Sequence, residues 1–136
     1  MCAARLQELI LANAEEIGRL HTRVKETARL RDRSPDGLRN WQQASEAFHN
    51  RYDALAFPGG YSTALDRIAA SEPAAVDAAL CFLEARPFFF RSGYMFKDIL
   101  RKVKRANLSK EQAARLAGIA AAYEQYRVTR RRAHAA

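Results

Sequence analysis

Long apolar runs are what this chain of 136 residues most plainly lacks. No window approaches the roughly 20 apolar residues that carry a helix across a bilayer, so no membrane span is expected. Residues 1–12 are apolar enough for a leader, yet they run into Glu15 and Glu16 without a cleavage-site pattern. A cytoplasmic protein is expected. Cysteine is scarce as well. Cys2 lies at the terminus and Cys81 inside a predicted helix, a spacing that suits free thiols and neither a disulfide nor a metal pair. No segment alternates polar and apolar residues between turn dipeptides, which argues against a β-sheet architecture. A phosphate-cradling glycine loop and a dinucleotide fingerprint are missing, as is a serine at a glycine-flanked strand-to-helix elbow. Ser34, Ser62, Ser71, Ser92 and Ser109 stand instead where helix capping accounts for them. No catalytic residue and no cofactor is therefore assigned.

One pair invites a metal reading. Glu46 and His49 have the Glu-x-x-His spacing that puts a carboxylate and an imidazole on one helix face, with Asp53 a turn further on. A di-iron bundle needs a second such pair and further glutamates from facing helices. Glu15, Glu16 and His21 of the first helix have the wrong spacing, so no metal is expected.

Acidic side chains are what the last third lacks. Residues 1–50 carry eight basic and seven acidic groups, residues 51–85 two and five, and residues 86–136 thirteen and three. The formal net charge of +8 thus has more than all of its excess at the C-terminal end. Such asymmetry points to an anionic partner. Alanine and arginine are frequent throughout, and compositional bias is the competing explanation.

What is present is helical periodicity. From about Ala3 to Arg31, Leu6, Ile10, Asn13, Ile17, Leu20, Val24 and Thr27 recur at alternating four- and three-residue steps. This seam permits a dimer through the first helix, but a nearer partner follows. Ser34-Pro35-Asp36 opens a second helix with a capping hydroxyl, a proline that loses no bond, and a carboxylate at the positive end of the dipole. Leu38, Trp41, Ser45, Phe48, Tyr52 and Leu55 continue the same alternation, so the two helices should pack as an antiparallel hairpin. Phe57-Pro58-Gly59-Gly60 closes it. Shorter helices are predicted from about Ser62 to Ala70, from Ser71-Glu72-Pro73 to Pro87, from Ser92 to Arg105, and from a Ser109–Gln112 capping box to Arg132, with residues 134–136 fraying. The expected fold is all-α and a single domain. Its hairpin spans residues 1–56, and about four shorter helices spanning 61–132 pack on it, with Trp41, Phe48, Tyr52, Phe88, Phe90, Leu100 and Leu116 in the core.

The stretch from Arg86 to Arg105 joins the strongest apolar signal to the strongest charge signal. Three phenylalanines in a row cannot all point inward, and two in the core with one at the rim is the expected outcome. Arg91, Ser92, Gly93 and Tyr94 form a turn at a helix start, where free amides attract anions and Lys97 adds charge. Phe96, Ile99, Leu100 and Val103 make the inner stripe of the following helix, while Lys97, Arg101, Lys104 and Arg105 occupy its outer face. Arg130, Arg131 and Arg132 suit the negative end of the last helix dipole. Together these cations suggest a non-catalytic binding module that docks nucleic acid or an acidic protein surface through a basic helical face. Two other classes compete. One is an oligomerising or adaptor protein using the hairpin or Phe88 to Phe90. The other is an enzyme with an anionic substrate near Arg91 to Lys97.

Overall fold

The computed structural model describes residues 3–135, so the expectation of a free Cys2 at a frayed terminus falls outside it. Every regular element among these residues is a helix: α1 (Ala3–Ala28), α2 (Pro35–Ala56), α3 (Ala64–Ala69), α4 (Pro73–Ala85), α5 (Ser92–Val103) and α6 (Lys110–Ala135). The N-terminal hairpin forms as its two seams require. Ile10, Ile17 and Thr27 of α1 and Phe48 of α2 are buried between them. Ser34 accepts a 2.9 Å hydrogen bond from the Gly37 amide, with Pro35 in the first turn of α2. At the far end Phe57 turns extended and is fully buried, while Gly59 and Gly60 take positive φ values of 84° and 92° to reverse the chain. Asp53 secures this reversal by accepting from the Ser62 amide at 2.7 Å and from its hydroxyl at 3.2 Å.

The centre of the molecule is α4. It packs against α1, α3, α5 and α6, and Ala75, Val76 and every residue from Ala78 to Leu83 are buried. Only a helix apolar on all sides can occupy such a place. Its two carboxylates lie on the rim and are claimed by neighbours. Gln112 donates to Asp77 at 3.1 Å, and Glu84 accepts from Gln7 at 3.1 Å and from Arg115. Fully burying one large apolar side chain contributes about 1.5–3 kcal/mol, and Phe82, Leu80, Leu83, Ile68, Ile99 and Val103 all reach that state around α4.

Three expectations need correction. Phe88 and Phe90 are not core residues: Phe88 is 95% exposed and Phe90 43%, and Phe89 between them is the buried ring. The backbone decides this. Arg86 and Arg91 both take left-handed conformations, with φ of 49° and 70°, and reverse the chain on either side of the phenylalanines. Trp41, also assigned to the core, is only partly buried, with the Arg31 guanidinium 5.0 Å above its ring. Lastly, Ser62, Ser71 and Ser92 do not cap helices. Ser62 serves Asp53, Ser71 accepts the Asn107 amide at 2.9 Å, and Ser92 accepts the Phe89 amide at 3.0 Å. The capping box of α6 does form, with Ser109 and Gln112 bonding reciprocally at 3.0 and 3.1 Å. That helix continues to Ala135 and, at 26 residues, matches α1 in length.

A cationic groove between the α4–α5 turn and α6

The turn that joins α4 to α5 is fastened at several points. The Arg86 amide donates to the carbonyl of Phe82 at 2.9 Å as α4 ends. The Phe89 ring packs edge-on against Phe82 and Tyr52, with centroids 6.3 and 6.1 Å away. Phe89 and Ser92 exchange two hydrogen bonds: the Phe89 amide donates to the Ser92 hydroxyl, and the Ser92 amide donates to the Phe89 carbonyl at 2.9 Å. The Tyr52 hydroxyl donates to the Phe90 carbonyl at 2.6 Å from the hairpin side. His21 packs at a tilt against Phe90 and Phe48, with centroids 4.8 and 5.4 Å away, and its burial there lowers its pKa. Left-handed arginines cost on the order of 1–2 kcal/mol each, and these fastenings hold them in place. What the turn presents to solvent includes Phe88, Phe90, Arg91, Gly93 and Tyr94.

Facing the turn is the second half of α6. Tyr123, Tyr126, Arg127, Arg130, Arg131 and His134 follow one another at steps of three, one, three, one and three, so they share one helix face. A groove of about 840 Å³ runs between this face and the turn, within the size range of ordinary ligand sites. Its floor is aromatic and cationic at once. The Arg86 guanidinium lies 5.2 Å from the centroid of Phe96 and 4.7 Å from that of Tyr126, bridging α5 and α6. Phe96 packs on Tyr123 at 5.1 Å, and Tyr123 stacks on Tyr126 at 6.4 Å.

Six permanent cations line the groove, contributed by the turn, by α5 and by α6: Arg86, Arg91, Lys97, Arg127, Arg130 and Arg131. Among the described residues no carboxylate lines it. Glu124 lies on the same helix and reaches Arg127 at 3.7 Å and Arg131 at 3.6 Å, but all three side chains are more than half exposed. Such pairs contribute roughly 0–1 kcal/mol and leave the cations available to a stronger anion. The amides of Gly93 and Tyr94 lie in the first turn of α5, where no preceding helical carbonyl is in reach.

The residues singled out from the sequence divide here. Arg91, Ser92, Gly93, Tyr94 and Lys97 line the groove. The Ser92 hydroxyl and amide are both engaged with Phe89, so its part there is to fix the turn. Arg101 on α5, and Lys104 and Arg105 just past its end at Val103, are exposed but lie outside the groove lining, and Arg101 pairs with Asp98 at 3.5 Å. Arg132 is likewise outside, while Arg130 and Arg131 are in. Sequence reading misses Arg86, Phe88, Tyr123, Tyr126, Arg127 and His134 as groove residues. The signal for the α6 members is their helical spacing, whereas from the sequence Arg130 to Arg132 are grouped with the outer face of the preceding helix and not with the turn at Arg91 to Tyr94.

Other chemistry-bearing side chains lie apart from the groove. Glu46 and His49 are exposed on α2, Asp53 is engaged with Ser62, and among the described residues no three metal-ligating groups gather. The Cys81 thiol is buried, which raises its pKa, and it lies 3.6 Å from Arg115 Nη2. No helix among the described residues is long and apolar enough to cross a membrane. No protein-family description, curated protein or solved structure matches this chain.

Proposed function

We propose that the protein is a non-catalytic binding module whose groove between the α4–α5 turn and α6 docks an anionic partner. The observation that carries this reading is the convergence of six cations from three segments on one groove with no acid among the described residues of its lining. Their mutual repulsion is unfavourable in the free protein and is relieved when a polyanion enters. A nucleic acid or an acidic protein surface supplies such charge.

The test separates location from total charge. Lys97→Glu with Arg130→Glu reverses two groove cations, and Arg101→Glu with Lys104→Glu makes the same change in net charge outside the groove. The first pair should abolish retention on heparin, and the second should leave most of it. Equal loss in both pairs, or a wild-type protein that heparin does not retain at low salt, overturns the proposal.

A further inference from the structure

The cations of the groove are interleaved with aromatic faces, and the most prominent of these has no folding role. Phe88 is the most exposed large apolar side chain among the described residues, at 95%. Its backbone is nevertheless held between left-handed Arg86, the buried Pro87 and the anchored Phe89. Tyr94, in the first turn of α5, is 73% exposed, and Tyr126 across the groove is 44% exposed. A groove meant only for carboxylates has no use for open rings, because an acidic peptide presents no planar apolar surface to lay on them. A nucleic-acid duplex presents phosphates, but its base faces are consumed by its own stacking. An unpaired strand offers both, a phosphate for each cation and a free planar face for each ring.

Resting on the groove reading above, we infer that the ligand class is single-stranded nucleic acid. Its bases stack on Phe88 and Tyr94, and its phosphates lie along Arg91, Lys97, Arg130 and Arg131. Arg86 and Tyr126 form the floor on which the strand is seated. Nothing in the groove offers a fixed array of base-edge partners, so the binding is sequence-tolerant. With these four cations each neutralising one phosphate, the logarithm of affinity should fall with the logarithm of salt at a slope of about −3.

The experiment is fluorescence anisotropy with a labelled single-stranded oligonucleotide and with a hairpin duplex of equal phosphate number. Poly-glutamate serves as competitor, and heparin retention is run in parallel. Single strands should bind more tightly than the duplex. Phe88→Ala and Tyr94→Ala should each weaken single-strand binding by about fivefold to a hundredfold while leaving heparin retention and the melting temperature unchanged. If strand and duplex bind alike and Phe88→Ala is silent, the stacking assignment is overturned. The groove reading would still stand, provided Lys97→Glu with Arg130→Glu releases heparin. Poly-glutamate displacing the strand at equal charge would assign the groove to acidic protein and overturn the inference. Retention of neither heparin nor oligonucleotide by the wild type overturns both readings.

Discussion

Replacing Gly37 with alanine sets two physical effects against each other, and the structure decides which one wins. Gly37 lies in the first turn of α2, and helix propensity alone predicts that alanine there gains up to about 1 kcal/mol. A Cβ at this position, however, would stand 2.1 Å from the carbonyl oxygen of Leu30 and 2.9 Å from its carbon. That is far inside ordinary contact, and the obstacle is backbone. Leu30 cannot yield locally, because its carbonyl accepts from the Arg33 amide and its own amide donates to the Thr27 carbonyl. Relief therefore requires the α1–α2 connection to move away from α2, which also strains the Gly37–Ser34 cap. Overpacking costs about 1–3 kcal/mol and a lost cap about 1 kcal/mol, so the net expectation is a destabilisation of roughly 1–3 kcal/mol. At about 3–5 °C per kcal/mol for a domain of this size, the melting temperature should fall by about 3–15 °C. Gly118 provides the control. It lies within α6, where an added methyl group would meet nothing within 4 Å, so Gly118→Ala should raise the melting temperature by a few degrees through propensity alone. Thermal melts followed by helical circular dichroism read both signs in one experiment. A Gly37→Ala protein that melts at or above the wild type refutes the steric argument.

Two further outcomes follow from the packing around the turn. Phe82→Ala should cost about 3–5 kcal/mol in denaturant unfolding: the ring is fully buried against Phe57 at 5.9 Å and supports Phe89. A loss below about 1 kcal/mol would remove α4 from the centre of the fold. His21 should make stability depend on pH. Burial, with repulsion from Lys25, holds its pKa below the ordinary 6.5, so near that value the unfolded chain takes up a proton that the folded protein does not. Stability is then greatest above pH 6.5 and declines as the pH falls below it. Melts of wild type and His21→Gln at about pH 7.5 and about pH 5.5 should show the steeper decline in the wild type, and equal declines would contradict the placement of His21 against Phe90.

Local rules make much of this fold readable in the chain. The hairpin seam from Leu6 to Thr27, the Ser34-Pro35 start and the Ser109–Gln112 box each depend on residues within a turn or two of one another, and all three hold in the structure. Phe88 to Phe90 defeat the same approach, because which ring enters the core depends on two arginines in a conformation that arginine rarely adopts. Once Arg86 and Arg91 turn, Phe89 alone meets Phe82. The central place of α4 is hidden for a related reason: a short apolar helix looks alike whether one face or every face is covered. The site is half legible. Arg91 to Lys97 are found because they sit together in the sequence. Arg101, Lys104 and Arg105 come along with them because an amphipathic helix points its charges outward, although the groove lies elsewhere. The opposite wall comes from residues about 30 positions further on, and only the docking of α6 across Arg86 brings it into place.

The hydrophobic cluster at the heart of the molecule takes no residue of α6 later in the chain than Tyr123. The last dozen described residues of that helix therefore supply half of the groove's cations and none of the hydrophobic cluster. A mutational survey scored by expression or thermal tolerance would pass over Arg127, Arg130 and Arg131 as freely replaceable, and only a survey scored by what the protein captures would register them.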